Sequence, residues 1–163
     1  TRWEWLEITK KHDSGVPRSL LVSEAKRELS ILQFLADASK RSVAAKVSSS
    51  KAIICLYAAI ALEVISSVKV DDRLIQLLLP SLFDGLACSA SSDLQAASYM
   101  IVVQLAEFTS FTEELASALL VALCASSRRS VDDTAMVLIH FCQMQSQLTE
   151  FPAEALEHLL ELP

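Results

Sequence analysis

The sequence predicts an all-α chain built as a solenoid of antiparallel helix pairs stacked one on the next. Three observations lead there. Two Gly and four Pro among 163 residues leave little material for hairpins, because these residues punctuate strands and turns. Apolar residues recur at the helical period along most of the chain. One apolar ladder also returns: Leu74, Leu77 and Leu78 are followed 41 residues later by Leu115, Ala118 and Leu119, and again by Leu156, Leu159 and Leu160.

From the N-terminus, the spacing predicts a first helix over 2–11, stopped near Gly15 and Pro17,. A second is expected over 18–39, with Leu20, Leu21, Ala25, Leu29, Leu32 and Leu35 as its stripe. The serine-rich stretch 39–50 reads as a joint, with room for one helical turn at 43–47. A strong helix follows over 51–67. Helix 71–87 contains Pro80, which should kink it. Helix 92–108 starts behind Ser91, Ser92 or Asp93, all good N-caps,. Helix 112–126 starts where Ser110 and Glu113 have capping-box spacing. Helix 131–147 begins behind Ser130, with Asp132 and Asp133 in its first turn,. The last starts at Pro152 as a first-turn proline.

These helices alternate in character. Those over 71–87, 112–126 and 152–162 carry a one-sided stripe, whereas 51–67, 93–108 and 131–147 are apolar nearly all round. The first kind suits an outer layer and the second a sandwiched position. A period of about 41 residues falls within the range of HEAT and armadillo units and exceeds the 34-residue tetratricopeptide unit. The expectation is therefore a HEAT-like α-solenoid forming one domain over 1–163. Its clearest repeats are 71–110 and 111–149, with a further one starting at 150–163. The chain does not begin with Met and is expected to be a piece of a longer protein.

An apolar content of 52% is high enough that membrane insertion has to be tested. The runs 52–62 and 94–106 stop at Glu63 and Glu107, short of the roughly 20 residues a spanning helix needs. Buried core helices are expected instead, and no membrane partner. Cys55, Cys88, Cys124 and Cys142 lack C-x-x-C spacing; they read as reduced, mostly buried thiols of a cytosolic or nuclear protein.

The net charge is −6, unevenly spread. Residues 1–73 hold 12 Lys/Arg against 9 Asp/Glu, and residues 74–163 hold 2 against 11. The second half should repel nucleic acid. Lys40, Arg41, Lys46 and Lys51 form the only modest basic patch, read as a solvated joint or as a contact for RNA or an acidic partner. Trp3 and Trp5 are candidates for core packing or partner contact. Glu150, Glu154, Glu157 and Glu161 form a solvated acidic stripe that could dock a basic segment.

No catalytic, cofactor or metal site is expected. His12, His140 and His158 lie far apart, and the adjacent carboxylates at helix starts are explained by capping. With only Gly15 and Gly85 there is no glycine-rich phosphate loop, and no G-x-S-x-G elbow occurs. His140 is expected to be a core or groove imidazole with one hydrogen bond.

The stretches "LLPSLFDGL", "DLQAASYMIVVQLA", "CQMQ" and "FPAEALEHLLELP" resemble the N-terminal helical-repeat region of the U3 small nucleolar RNA-associated protein 10 family. Its animal members are called HEAT repeat-containing protein 1. The likeness covers 71–163 well and 1–70 poorly. It implies a scaffold of the small-subunit processome in the nucleolus, acting in pre-18S rRNA processing and supporting transcription by RNA polymerase I. It further implies contacts with other processome subunits, notably β-propeller proteins with helical tails. Contact with pre-ribosomal RNA or the small nucleolar ribonucleoprotein would be indirect, and no small-molecule substrate is implied. Read from the residues alone, the alternatives are a HEAT or armadillo adaptor in transport or cytoskeletal regulation, or an RNA-binding repeat using the basic half.

Overall fold

The computed structural model describes residues 5–10, 15–126 and 131–160, and side chains over 5–7, 15–126 and 134–160. Among the described residues every regular element is a helix: α1 (Trp5–Lys10), α2 (Arg18–Arg27), α3 (Ser30–Ala44), α4 (Ser50–Ser67), α5 (Asp72–Leu86), α6 (Ser92–Phe108), α7 (Glu113–Ser126), α8 (Val131–Met144) and α9 (Ala153–Leu160). Each helix from α3 to α7 packs on a sequence neighbour and on the helices two before or two after it. The result is an α-solenoid of two layers. The even layer runs α2, α4, α6, α8, and the odd layer runs α3, α5, α7, α9. One continuous core, from Val22 to Ala155, lies between the layers.

The expected helix over 18–39 is in fact two. Glu28 leaves the helical region at φ −131°, ψ 87°, and its carboxylate accepts from the Ser30 hydroxyl at 2.6 Å. Such local side-chain bonding gives the backbone an alternative to continuing the helix. The joint expected over 39–50 is correspondingly shorter, because α3 continues to Ala44. It ends in a Schellman motif: Val47 N–H donates to Ser42 O and Lys46 N–H to Val43 O, both at 3.0 Å,. Lys46 occupies the left-handed position, at φ 51°.

Other boundaries shift for equally local reasons. Asp71 and Ser91 cap α5 and α6 by accepting from Leu74 N–H and Leu94 N–H. Helix α7 is capped by Thr112, whose hydroxyl accepts from Leu115 N–H at 3.4 Å, and not by the Ser110–Glu113 box. Pro152 stands just before α9, and its carbonyl accepts from Leu156 N–H. Pro80 lies within α5 and is exposed, so the hydrogen bond its ring removes is on the solvent side. Ser130 lies outside the described residues.

Of the ladder's own residues in α5 and α7, Leu74, Leu78 and Leu119 are buried, Leu77 and Leu115 are half-buried and Ala118 is exposed. Ile75, Leu78, Leu82 and Gly85 of α5 and Ala116, Leu119, Leu123 and Ser126 of α7 are all buried, 41 residues apart. The third rung departs from the expectation. Ala155 is the buried residue of α9, 39 residues after Ala116, while Leu156 is exposed and Leu160 is 84% exposed.

Helix α4 runs through Glu63 to Ser67, and its 18 residues are apolar and long enough to cross a bilayer by length and composition. Its Tyr57, Ile60, Ala61, Val64 and Ile65 are buried in the common core, against α2, α3 and α6. It is a core helix of the solenoid.

Candidate protein-docking surface

Three kinds of tie hold neighbouring repeats in register and define what is left on the surface. The first is a set of ion pairs between successive helices of one layer. Arg18 donates to Glu63 at 2.9 Å and Lys40 to Asp84 at 2.6 Å, and Lys51 Nζ lies 3.5 Å from Asp93 Oδ1. His140 Nε2 lies 3.1 Å from Glu107 Oε1. Each contact is partly solvated and contributes little stability alone, and the three Lys/Arg pairs each engage a cation at the surface.

The second tie is a pair of buried tyrosines. Tyr57 on α4 reaches Ser81 of α5 at 3.3 Å, and Tyr99 on α6 reaches Ser126 at 2.7 Å and Thr134 of α8 at 3.0 Å. Burial raises the Tyr57 phenol above its ordinary value, partly offset by the bond to Ser81.

Glutamine clamps are the third. Gln95 donates from one amide nitrogen to Leu86 O and Ser126 O, at 3.1 and 3.2 Å, closing the ends of α5 and α7 together. Gln145 donates to Ala106 O and Thr109 O and accepts from Phe111 N–H. Gln147 donates to Phe111 O at 2.7 Å, and Phe111 stacks on Phe141 with centroids 5.9 Å apart. This capture of the 109–112 joint ends α8 at Met144 rather than at the expected 147. Sequence reasoning missed Gln95 and Gln145. The available signal was a glutamine on an otherwise apolar helix or just after one.

The expected basic patch is largely engaged. Lys40 and Lys51 are held by carboxylates of the next repeat, and Arg41 donates its Nε to Asp37 O at 3.3 Å. Lys46 is exposed at its helix end. Trp5 packs against the core; Trp3 and Glu161 lie outside the described residues. Glu150, Glu154 and Glu157 are exposed and form no ion pair among the described residues. His140 makes its one expected contact, with Glu107, at a partly exposed position rather than in the core.

The thiols correct the expectation of burial: Cys55 and Cys142 are exposed, Cys88 is intermediate and only Cys124 is buried. Desolvation, with a smaller contribution from Cys142, pushes the Cys124 thiol up to about 11. No group of three His, Cys, Asp or Glu able to hold a metal occurs among the described residues.

Beside Glu150, Glu154, Glu157 and Lys46, apolar surface also stays open. On the even layer, Arg18, Cys55, Ala58, Ala59, Leu62, Glu63, Ser66 and Met100 enclose a cleft of about 470 Å³ between α2, α4 and α6. Met100 is 53% exposed and Met136 on α8 is 70% exposed.

A family model described as U3 small nucleolar RNA-associated protein 10 matches residues 74–163. The chain belongs to that family. Two relatives extend the likeness across residues 1–70 as well. An uncharacterized protein of Arabidopsis thaliana is 26% identical over 174 aligned residues, covering 99% of this chain. The HEAT repeat-containing protein 1 homolog of Drosophila melanogaster is 25% identical over 164, covering 97%. The chain spans 8% of the length of each of these relatives.

Proposed function

We propose that this chain is a protein-interaction block of a ribosome-biogenesis scaffold, working within the small-subunit processome in the nucleolus. Family membership is the observation that carries this reading. The solenoid supports it physically, because rigid stacked pairs present side chains at fixed intervals along an extended surface. Each repeat over 71–110 and 111–149 supplies one helix to each layer, and 150–163 opens the next.

In this role the chain assists pre-18S rRNA processing and transcription by RNA polymerase I through partners, the β-propeller subunits with helical tails among them, and not by chemistry of its own. Contact with RNA is indirect. The carboxylates of the second half would repel phosphate, and Lys40 and Lys51 are already engaged.

The test is affinity purification from nuclear extract through the full-length protein, with and without nuclease. Deleting the segment 1–163 should remove a defined set of processome proteins, and that set should be retained by the intact protein after nuclease treatment. Recovery of transport or cytoskeletal factors alone would overturn the reading, as would partners that vanish with the RNA.

A further inference from the structure

We infer that the cleft between the C-terminal ends of α5 and α7 is a seat for an arginine side chain presented by a partner protein. Resting on the scaffold reading, the inference adds the chemical group the partner brings and the place that receives it.

The cleft measures about 580 Å³ and lies among Phe83, Asp84, Ala87, Gln95, Ala122 and Ala125. Gln95, only 6% exposed, is the lining residue that α6 contributes. Leu86 O and Ser126 O, both held by its Nε2, fix which end of that amide is nitrogen. The other end is an oxygen, and among the described residues nothing donates to it. Since that oxygen is not sealed in the core, the cleft is where it is open. Buried polar groups are ordinarily paired, so what pairs with this one must enter through the cleft.

Asp84 supplies a second acceptor. Lys40 takes its Oδ2 at 2.6 Å from the side of α3, while among the described residues Oδ1 accepts from nothing. Of the lining residues Asp84 is the ionisable one. Both helices also end at the cleft, where their dipoles favour a cation.

The neighbouring seam shows how such a place is filled. The buried Leu32, Leu35 and Ser39 of α3 recur 43 positions later as Ile75, Leu78 and Leu82 of α5. Those recur 41 positions on as Ala116, Leu119 and Leu123 of α7. In that register Lys40 corresponds to Phe83 and Asp84 to Ala125. The seam between α3 and α5 is thus bridged by a cation of the chain's own, reaching to an acid on the next helix. At the seam between α5 and α7 an aromatic ring and a methyl group stand at those positions, and a cleft takes the place of the bridge.

The acceptors select the occupant. A phosphate or carboxylate would meet Asp84 and two helix C-termini, which repel it. An apolar side chain would leave the Gln95 oxygen and Asp84 Oδ1 without donors. A guanidinium spreads several N–H donors over a planar fork, so it can serve both acceptors together, whereas an ammonium is a point charge. Its flat face suits Phe83 and its apolar stem suits the alanines of the wall. Residues 74–163, with 11 Asp/Glu against 2 Lys/Arg, draw a basic partner toward this half of the chain.

The test places a photo-crosslinking amino acid at Ala125, an exposed position of the lining, in the full-length protein. Mass spectrometry identifies the captured peptide. That peptide is synthesised with its arginines intact or replaced one at a time by citrulline, which keeps the shape and removes the charge. Each form is titrated against full-length wild type, Ala125→Trp and Ala87→Trp, which fill the cleft from either helix, and Leu160→Ala, outside the lining. The expected result is an arginine-bearing peptide that loses about tenfold or more in affinity with one citrulline and with either tryptophan. Leu160→Ala should leave the affinity unchanged. Capture of RNA, capture of nothing, a peptide without arginine, or equal affinity after citrulline substitution or cleft filling would overturn the inference. Capture that requires Arg128→Ala and Arg129→Ala would overturn it too, because those arginines, outside the described residues, would then be the chain's own occupants of the seat. Any of these, with processome proteins still recovered, would leave the scaffold role standing. Loss of those proteins from the intact protein would instead remove the scaffold reading itself.

Discussion

Gly85 of α5 and Ser98 of α6 touch so closely that any side chain at position 85 would force Ser98 to shift. A Cβ there would run into the Ser98 hydroxyl and stand 3.2 Å from the Ser98 Cβ. The hydroxyl is itself fixed by donation to Leu94 O at 2.9 Å. Gly85→Ala should therefore cost about 1–3 kcal/mol, despite the better helix propensity of alanine. In thermal melts of Gly85→Ala with and without Ser98→Ala, the second change should recover part of the loss. Equal melting temperatures for wild type and Gly85→Ala would contradict the contact.

Leu119, at 1% exposure, should cost about 2–5 kcal/mol when truncated to Ala. Leu160→Ala, at an exposed position one ladder interval later, should change stability by less than about 0.5 kcal/mol. Urea denaturation of both variants measures the pair, and equal effects would contradict the shift of register at α9.

Lys46 holds a left-handed conformation that costs an L-residue roughly 1–2 kcal/mol. Lys46→Gly should raise stability by up to about 1 kcal/mol and Lys46→Val should lower it, as read by denaturant midpoints. A lysine kept there for its charge alone would show no such ordering.

Gln95→Glu keeps the shape of the side chain but turns a donor toward two carbonyls into an acceptor. Leaving those carbonyls unpaired beside a charge should cost about 2–4 kcal/mol. Hydrogen exchange should quicken in the last turns of both α5 and α7. Faster exchange in α5 alone would separate the two halves of the clamp.

The thiols should react in order of exposure, with Cys55 alkylated in the native protein and Cys124 only on unfolding. The raised Cys124 value also sets a pH dependence. The native state holds that proton more tightly than the unfolded chain, whose thiol ionises near 9.0. The corresponding stability is present below pH 9 and is lost as pH rises through about 11. Cys124→Ala should flatten the stability profile in that window, measured by urea titrations at stepped pH.

The sandwiched position expected for 93–108 and 131–147 is not found, since Met100 and Met136 are 53% and 70% exposed. Helix identity was legible because apolar periodicity reports which faces are buried. Leu78 and Leu119 illustrate this. The break at Glu28 was not legible, since it depends on a carboxylate meeting Ser30. The extra length of α3 depends on a lysine accepting a conformation that favours glycine. Of the candidate surface, the sequence showed the acidic stripe and the cations. It could not show that Lys40 and Lys51 find partners 44 and 42 residues away, nor that Met100 and Met136 stay outside while their neighbours go in. Those outcomes depend on the rotation of each helix against the next.

The double grip of Gln95 on Leu86 and Ser126 has a mechanical consequence. A stack whose units met only through greasy contacts could peel from one end, one hairpin at a time. Here one amide is shared by two units, so fraying of α7 exposes the last turn of α5, and an unzipping front meets resistance at that boundary. The segment should stretch like a stiff rod up to a threshold and then yield in large steps.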